Sequence, residues 1–399
     1  MLSPLLLGVA LTLGQTPSTP PDGGEETPAA AAPVAPERWL LMKALQGTYP
    51  GWLLDSYRVQ ISGWTDMSFT ASSVSGNQLP FGFNFRGNEF LLQQNWLRID
   101  CPVNTSSSEP TFGFRSDTML PGTDYRFTLA RGLFSGQLTA SNGQPNLYGI
   151  DPIEFYAEAY FPTLGRGLDV KIGHFFAQFG TETNDAPSNA LASHTYTFVW
   201  NPFTHTGVVA TLKLSDTWTV QGGMVLGCDI FIDPADEPTG LASVKWAPPD
   251  GRDSVLLAVI VGAARFNTAR NFHNPDIFNF IYTRKINLRL KYTFETLYGL
   301  TSNVPDIGFA NWLGVMNYLT YEFTPRLSGT TRLEFFDDFQ GQRTGFPGLY
   351  TALAAGVSFK LLKDVIFRPE IRYDYNAESR PFENHHGLFT ASADLLLRW

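Results

Sequence analysis

Charged side chains in this sequence recur at every second position, in rows. Between residues 286 and 295, Asn287, Arg289, Lys291, Thr293 and Glu295 alternate with Ile286, Leu288, Leu290, Tyr292 and Phe294. Between 365 and 375, Arg368, Glu370, Arg372 and Asp374 oppose Val365, Phe367, Ile371, Tyr373 and Tyr375. A period of two places each set on its own face of an extended strand, so one face suits water and the other suits oil. Charges fixed in a row along a wet face act on whatever passes them. They attract, orient and sort ions and dipoles.

Catalytic and metal-binding patterns are missing where bond-breaking chemistry would need them. There is no GxSxG, HExxH, P-loop or dinucleotide fingerprint, so no enzyme and no cofactor are expected. A hydrolase whose Ser and His are brought together by folding alone is the competing idea. Cys101 and Cys228 lack CxxC spacing and read as small buried or lipid-facing side chains rather than a disulfide or a metal pair. The adjoining His385 and His386 read as solvated loop residues. A Ca²⁺ site at Asp233, Asp236 and Glu237 lacks the spacing of a calcium loop, and no metal is expected.

Composition limits what can position such rows. Of 399 residues only 16% are charged and 14% are aromatic, against roughly 25% charged in a soluble protein. The longest apolar run, VLLAVIVGAA at 255–264, has half the roughly 20 residues of a membrane-spanning helix. A membrane would therefore be crossed by strands. The net charge of -9 argues against nucleic acid as a partner. Residues 1–14 read as a signal peptide, 15–36 as a disordered Pro/Ala-rich linker, 37–52 as one short helix ended by Gly47 and Pro50, and 53–399 as the main body.

After Pro50 the chain is a succession of roughly ten-residue extended segments. The strands expected are 58–70, 90–101, 111–120, 152–162, 168–177, 205–214, 217–230, 239–248, 253–265, 275–283, 286–298, 310–323, 327–338, 350–361, 365–376 and 387–399. Short connections alternate with long ones at 71–89, 121–151, 178–204, 231–238, 266–274, 299–309, 339–349 and 377–386. One rim then carries tight turns and the other every large loop. That sorting, with about 16 strands and both ends on the short-turn side, predicts an all-β transmembrane antiparallel β-barrel with long extracellular loops in the cell outer membrane. Trp218, Trp246 and Trp399 fall at short-turn strand ends on the apolar face and read as an aromatic girdle. In FTASADLLLRW, the alternation that ends on Trp399 also fits a C-terminal signal for the outer-membrane assembly machinery, and closure leaves that last strand no free edge.

LLMKALQGTYPGWLLDSYRVQISGWTDMSF (40–69) and LDVKIGHFFAQFGTET (168–183) resemble the putative OmpL-like beta-barrel porin family, from about residue 39 to the C-terminus. The resemblance implies a pore and leaves its solute open. A barrel of this size holds water, so the pore-lining candidates are Arg115, Asp117, Glu154, Glu158, Lys171, Lys213, Arg289, Lys291, Arg332, Arg368, Arg372 and Asp394. Cations gather on C-terminal strands and acids on 152–162, which suggests a transverse field; lumenal salt bridges are the competing reading. By analogy with general porins, the 178–204 loop folds inward and puts Glu182 and Asp185 at a constriction, against the alternative of an exposed loop. Strand 253–265 is apolar on both faces, and the N-terminal helix or an infolded loop is expected to cover its inner row. The function expected is passive diffusion of small hydrophilic solutes or ions; the alternative is a plugged barrel acting as an adhesin or structural anchor. The partners expected are the lipid bilayer, the assembly machinery and those solutes, and a homotrimer is allowed. Net acidity leans mildly toward cations.

Overall fold

Alternation decides which way each strand faces. In the last strand Leu388, Thr390, Ser392, Asp394 and Leu396 are buried, while Phe389, Leu395 and Leu397 between them are exposed. The computed structural model describes residues 38–76, 79–232, 238–262, 265–267 and 272–399. The expected signal peptide and linker, and the acidic residues Asp233, Asp236 and Glu237 weighed against a calcium site, lie outside the described residues.

Two helices, α1 (Leu40–Leu45) and α2 (Tyr49–Ser56), precede β1 (Gln60–Ser72), β2 (Phe90–Cys101) and β3 (Thr111–Gly122). The short helix α3 (Tyr125–Thr128) leads to β4 (Gly149–Phe161) and β5 (Leu168–Phe176). Another, α4 (Tyr196–Val199), precedes β6 (Thr204–Lys213), β7 (Trp218–Val225), β8 (Thr239–Trp246) and β9 (Asp253–Val261). A small hairpin, β10 (Arg265–Asn267) and β11 (Phe272–Asn274), is followed by β12 (Asp276–Lys285), β13 (Leu290–Val304), β14 (Gly308–Thr324) and β15 (Leu327–Asp338). The last three strands are β16 (Gly348–Leu362), β17 (Val365–Asn376) and β18 (Gly387–Arg398).

Leaving out the β10–β11 hairpin, each strand pairs antiparallel with the next; β9 pairs with β12, and β18 returns to β1. The ring therefore closes with 16 strands and no free edge. At the seam Trp64 pairs with Arg398 and Ser72 with Thr390. Gly63 and Trp399 extend the seam by two reciprocal N–H···O bonds of 2.9 Å. A Cβ on Gly63 would lie 2.0 Å from Trp96 O and 2.5 Å from the Trp399 ring. The glycine of Ser-Gly-Trp thus leaves room for the Trp399 ring and the backbone of β2. Gly63→Val is expected to cost about 1–3 kcal/mol by overpacking, read as a lower temperature for loss of the compact band on an unheated gel.

The two rims differ as the loop lengths predict, with one exception. Residues 299–309 are no loop: β13 runs to Val304 and β14 starts at Gly308. Asn303, Asp306 and Gly308 take φ values of 58°, 62° and 81°, so residues typical of loops build one tight turn atop a tall hairpin. The strand expected at 286–298 starts late for a related reason. Asn287 Oδ1 accepts from the amides of Arg289 and Leu290 at 2.8 and 2.9 Å, making Ile286–Arg289 a turn. Arg289 therefore sits at the rim rather than in a wall.

The single N-terminal helix expected at 37–52 is also two. Gly47 (φ 79°) ends the first, and Pro50 occupies the first turn of the second, where its missing N–H costs nothing. Thr48 Oγ1 caps that helix by accepting from Gly51 N at 3.2 Å. Helix α1 packs against β1, on the other side of the ring from β9 and its inner apolar row. Ala258 and Ile260 of that row pack instead with Val209, Val225 and Phe179, the last from the infolded loop.

Candidate functional site

Where Arg and Glu stand two apart, the inner face of the wall is charged and buried: Arg332 and Glu334 on β15, Arg368, Glu370, Arg372 and Asp374 on β17, and Asp394 on β18. The connection from β5 to β6, residues 177–203, crosses the inside of the ring in front of them. An irregular segment in such a place must have its backbone groups satisfied. The wall does this with acids for its amides and with guanidinium groups for its carbonyls.

Glu370 accepts from Ala192 N and Ser193 N at 2.9 and 3.0 Å. Glu334 accepts from Tyr196 N and Thr197 N at 2.9 and 2.8 Å, and Glu295 on β13 accepts from Thr181 N at 2.8 Å. In the other direction Arg332 donates to Ser193 O at 2.6 Å, and Arg368 donates to Ala186 O and Asn189 O, both at 2.7 Å. Arg372 reaches His194 O, and Gln94 on β2 reaches Asn184 O at 2.8 Å. Each such bond to a charged group contributes about 1.5–3 kcal/mol. Neighbouring loops brace the same segment: Phe83 packs against Phe127, Phe198 and Phe203 with ring centroids 5.2, 5.4 and 5.8 Å away.

Glu182 and Asp185 belong to this segment and are both tied down. Glu182 accepts from Arg332 Nη1 at 2.7 Å, Tyr318 OH at 3.0 Å and Thr195 N at 2.9 Å, and His194 Nδ1 lies at 3.2 Å. Burial works against its charge, but Arg332 and the His194 contact outweigh that and hold the carboxyl at about 2. A depressed carboxyl stabilises the fold above its unfolded pKa, roughly 4.3, and that contribution goes as pH falls through the folded value. The gap in unfolding temperature between the protein and Glu182→Gln is expected to be constant from neutral pH to about 4.5 and to shrink towards pH 2. A gap that vanishes already at pH 4 would contradict this pairing. Asp185 moves the other way: burial raises it, Arg98 at 3.1 Å pulls it down, and Asp117 beside it pushes it up again.

Most of the other expected residues are paired across neighbouring strands. Arg98 holds Asp117 through Nε at 2.9 Å, Arg115 lies 3.9 Å from Glu154, and Lys171 lies 3.5 Å from Glu158. Arg368 is bidentate on Asp394 across β17 and β18, whereas Arg372 binds Asp374 of its own strand at 2.7 Å and Lys213 reaches Asp216 at 3.7 Å in the adjoining turn. Lys291 is exposed on the inner row of β13 near the short-turn rim. On the outside, Trp218 and Trp246 stand opposite one another across β7 and β8, and Trp399 covers Gly63. His386 Nδ1 lies 2.7 Å from Asn376 O, and both cysteines are free and buried.

The sequence profile of a family described as "Putative beta-barrel porin-2, OmpL-like" matches residues 58–397. The chain belongs to this OmpL-like porin family. No curated protein matches it in sequence. Among solved structures, the outer membrane channel DcaP of Acinetobacter baumannii superposes with a TM-score of 0.54 at 12% identity, covering 86% of this chain and 97% of that one. An anion-selective porin from Comamonas acidovorans gives 0.57 at 9% identity over 86% and 99%. OprB of Pseudomonas putida gives 0.57 at 10% over 88% and 96%. At these identities the superpositions show a shared fold alone. Family and fold together make the protein an outer-membrane porin, a channel for passive diffusion and not an enzyme.

Several residues through which the porin grips its inner loop are not among the lining candidates expected from sequence, Arg98, Glu295, Glu334 and Glu370 with Gln94, Tyr318 and Arg398 among them. Parity marks three of them. Glu370 lies between Arg368 and Arg372 on one row, Glu334 is two residues beyond Arg332, and Glu295 belongs to the water-facing row of β13. For Arg98 only the alternation of β2 was available. Arg289 is the one expected lining residue that the fold moves into a turn.

Proposed function

We propose that the porin passes small hydrophilic solutes and ions, that residues 177–203 set the narrowest section of its path, and that Glu182 and Asp185 act there as part of that constriction. The observation that carries this reading is the hold of the wall on the segment, through carboxylates on β13, β15 and β17 and guanidinium groups on β15 and β17. So many charge-assisted bonds to one loop favour a single fixed position across the lumen over an exposed loop.

Sorting by charge then belongs to side chains that keep access to water. Arg115, Lys171 and Lys213 retain 21%, 27% and 44% of their side-chain exposure, and Lys291 is exposed, whereas Arg332, Arg368 and Arg372 are buried against carboxylates. Asp117, Glu154 and Glu158 on β3 and β4 are paired with Arg98, Arg115 and Lys171 beside them, so a field across the lumen that orients dipolar solutes rests on the cations that keep access to water. Residues 1–14 would serve export, and the strand ending in Trp399 would be read by the assembly machinery. Removing residues 184–195 and recording single channels tests the constriction. A clear rise in conductance is expected; unchanged conductance from a folded barrel overturns it.

A further inference from the structure

We propose that α2 is a membrane-surface anchor: its aromatic face lies in the headgroup–acyl boundary of the leaflet at the short-turn rim. Tyr49, Trp52, Leu53 and Tyr57 fall three, four and eight residues along from the first, on one side of the helix, and are 73%, 61%, 40% and 68% exposed. Tyr49 and Trp52 stack with ring centroids 5.8 Å apart. Among the described residues no core cluster covers this face.

The place where α2 joins the barrel says what covers it. Tyr57 O accepts from Cys101 Sγ at 3.5 Å, and by the alternation of β2 Cys101 points outward. Arg58 takes a left-handed φ of 57° and is held there by donating to Pro102 O and Phe112 O at 3.3 and 3.2 Å. Phe112, on the outer row of β3, is 68% exposed. The chain thus leaves the helix over the outer, lipid-facing wall, at the rim where Trp399 covers Gly63. The aromatic face of α2 continues that belt. Indole and phenol rings that present an apolar body and one polar group are suited to the interface, and a short helix with such a face lies in its plane.

The test uses the full protein and Trp52→Phe in phosphatidylethanolamine–phosphatidylglycerol vesicles whose acyl chains carry bromine either next to the headgroup or near the terminal methyl. Subtracting the two emission spectra isolates Trp52. The proposal expects bromine near the headgroup to remove more than half of that emission and terminal bromine to remove little. Emission untouched by either lipid, or quenched mainly by terminal bromine, overturns it. A Trp52→Cys variant distinguishes the rival occupant: ready cross-linking between two copies of the chain also overturns it. In Tyr49→Ser/Trp52→Ser/Leu53→Ser, the barrel is expected to remain folded while residues 38–58 become protease-sensitive in vesicles. Unchanged protection contradicts the anchor.

Discussion

Replacing Arg332 with alanine is expected to release the inner loop and raise single-channel conductance, with added current noise. Arg332 is 1% exposed and bonds Glu182 Oε1, Ser193 O and Ser193 Oγ at 2.7, 2.6 and 2.8 Å. Without it, the Glu182 carboxylate stays buried beside Tyr318 and His194 and has lost its guanidinium partner. Breaking a buried pair in this way costs about 3–5 kcal/mol, more than any one of the remaining loop bonds supplies. The cost comes mainly from the stranded charge. Arg332→Met combined with Glu182→Met is therefore expected to recover much of the lost stability, read by thermal unfolding in detergent. If the double variant is no more stable than the single one, the pairing is not what holds the loop.

The wall was easier to read in the sequence than the loop it holds. A strand two residues out of phase still shows the same rows, so β15, β17 and β18 could be located from alternation alone, with Arg332, Arg368, Arg372 and Asp394 on the inner face. Position along the strand was less secure, because Asn and Gly suit both long loops and tight turns. That ambiguity misplaced the start of β13 and hid the turn at 305–307. Residues 177–203 carry no periodicity. The partners of their backbone amides lie more than a hundred residues away on β13, β15 and β17, and only closure of the ring brings them near. Pairing was the least legible feature: Arg98 with Asp117 and Arg368 with Asp394 need the strand register, which composition does not encode.

The second large effect separates the two faces of one strand. Leu353 of β16 lies outward between Leu333 and Tyr373 and is 54% exposed to the lipid side. Leu353→Arg places a guanidinium in hydrocarbon and is expected to cost about 2–4 kcal/mol, seen as loss of the compact, heat-modifiable form from the membrane fraction. Ser358, on the opposite face of the same strand, is the control. Ser358→Arg puts the same group into the wet interior, and the barrel is expected to assemble normally. Equal damage from both would mean that the faces have been assigned wrongly.

The most direct test of the whole account is the current carried by the purified, folded protein in a planar bilayer under a salt gradient. A water-filled cylinder narrowed by its own loop predicts long-lived open steps of uniform size and a reversal potential that reports the charge left accessible in the lumen. A preparation that keeps its heat-modifiable form yet passes no ions would contradict it, because the same ring of strands would then be a sealed anchor.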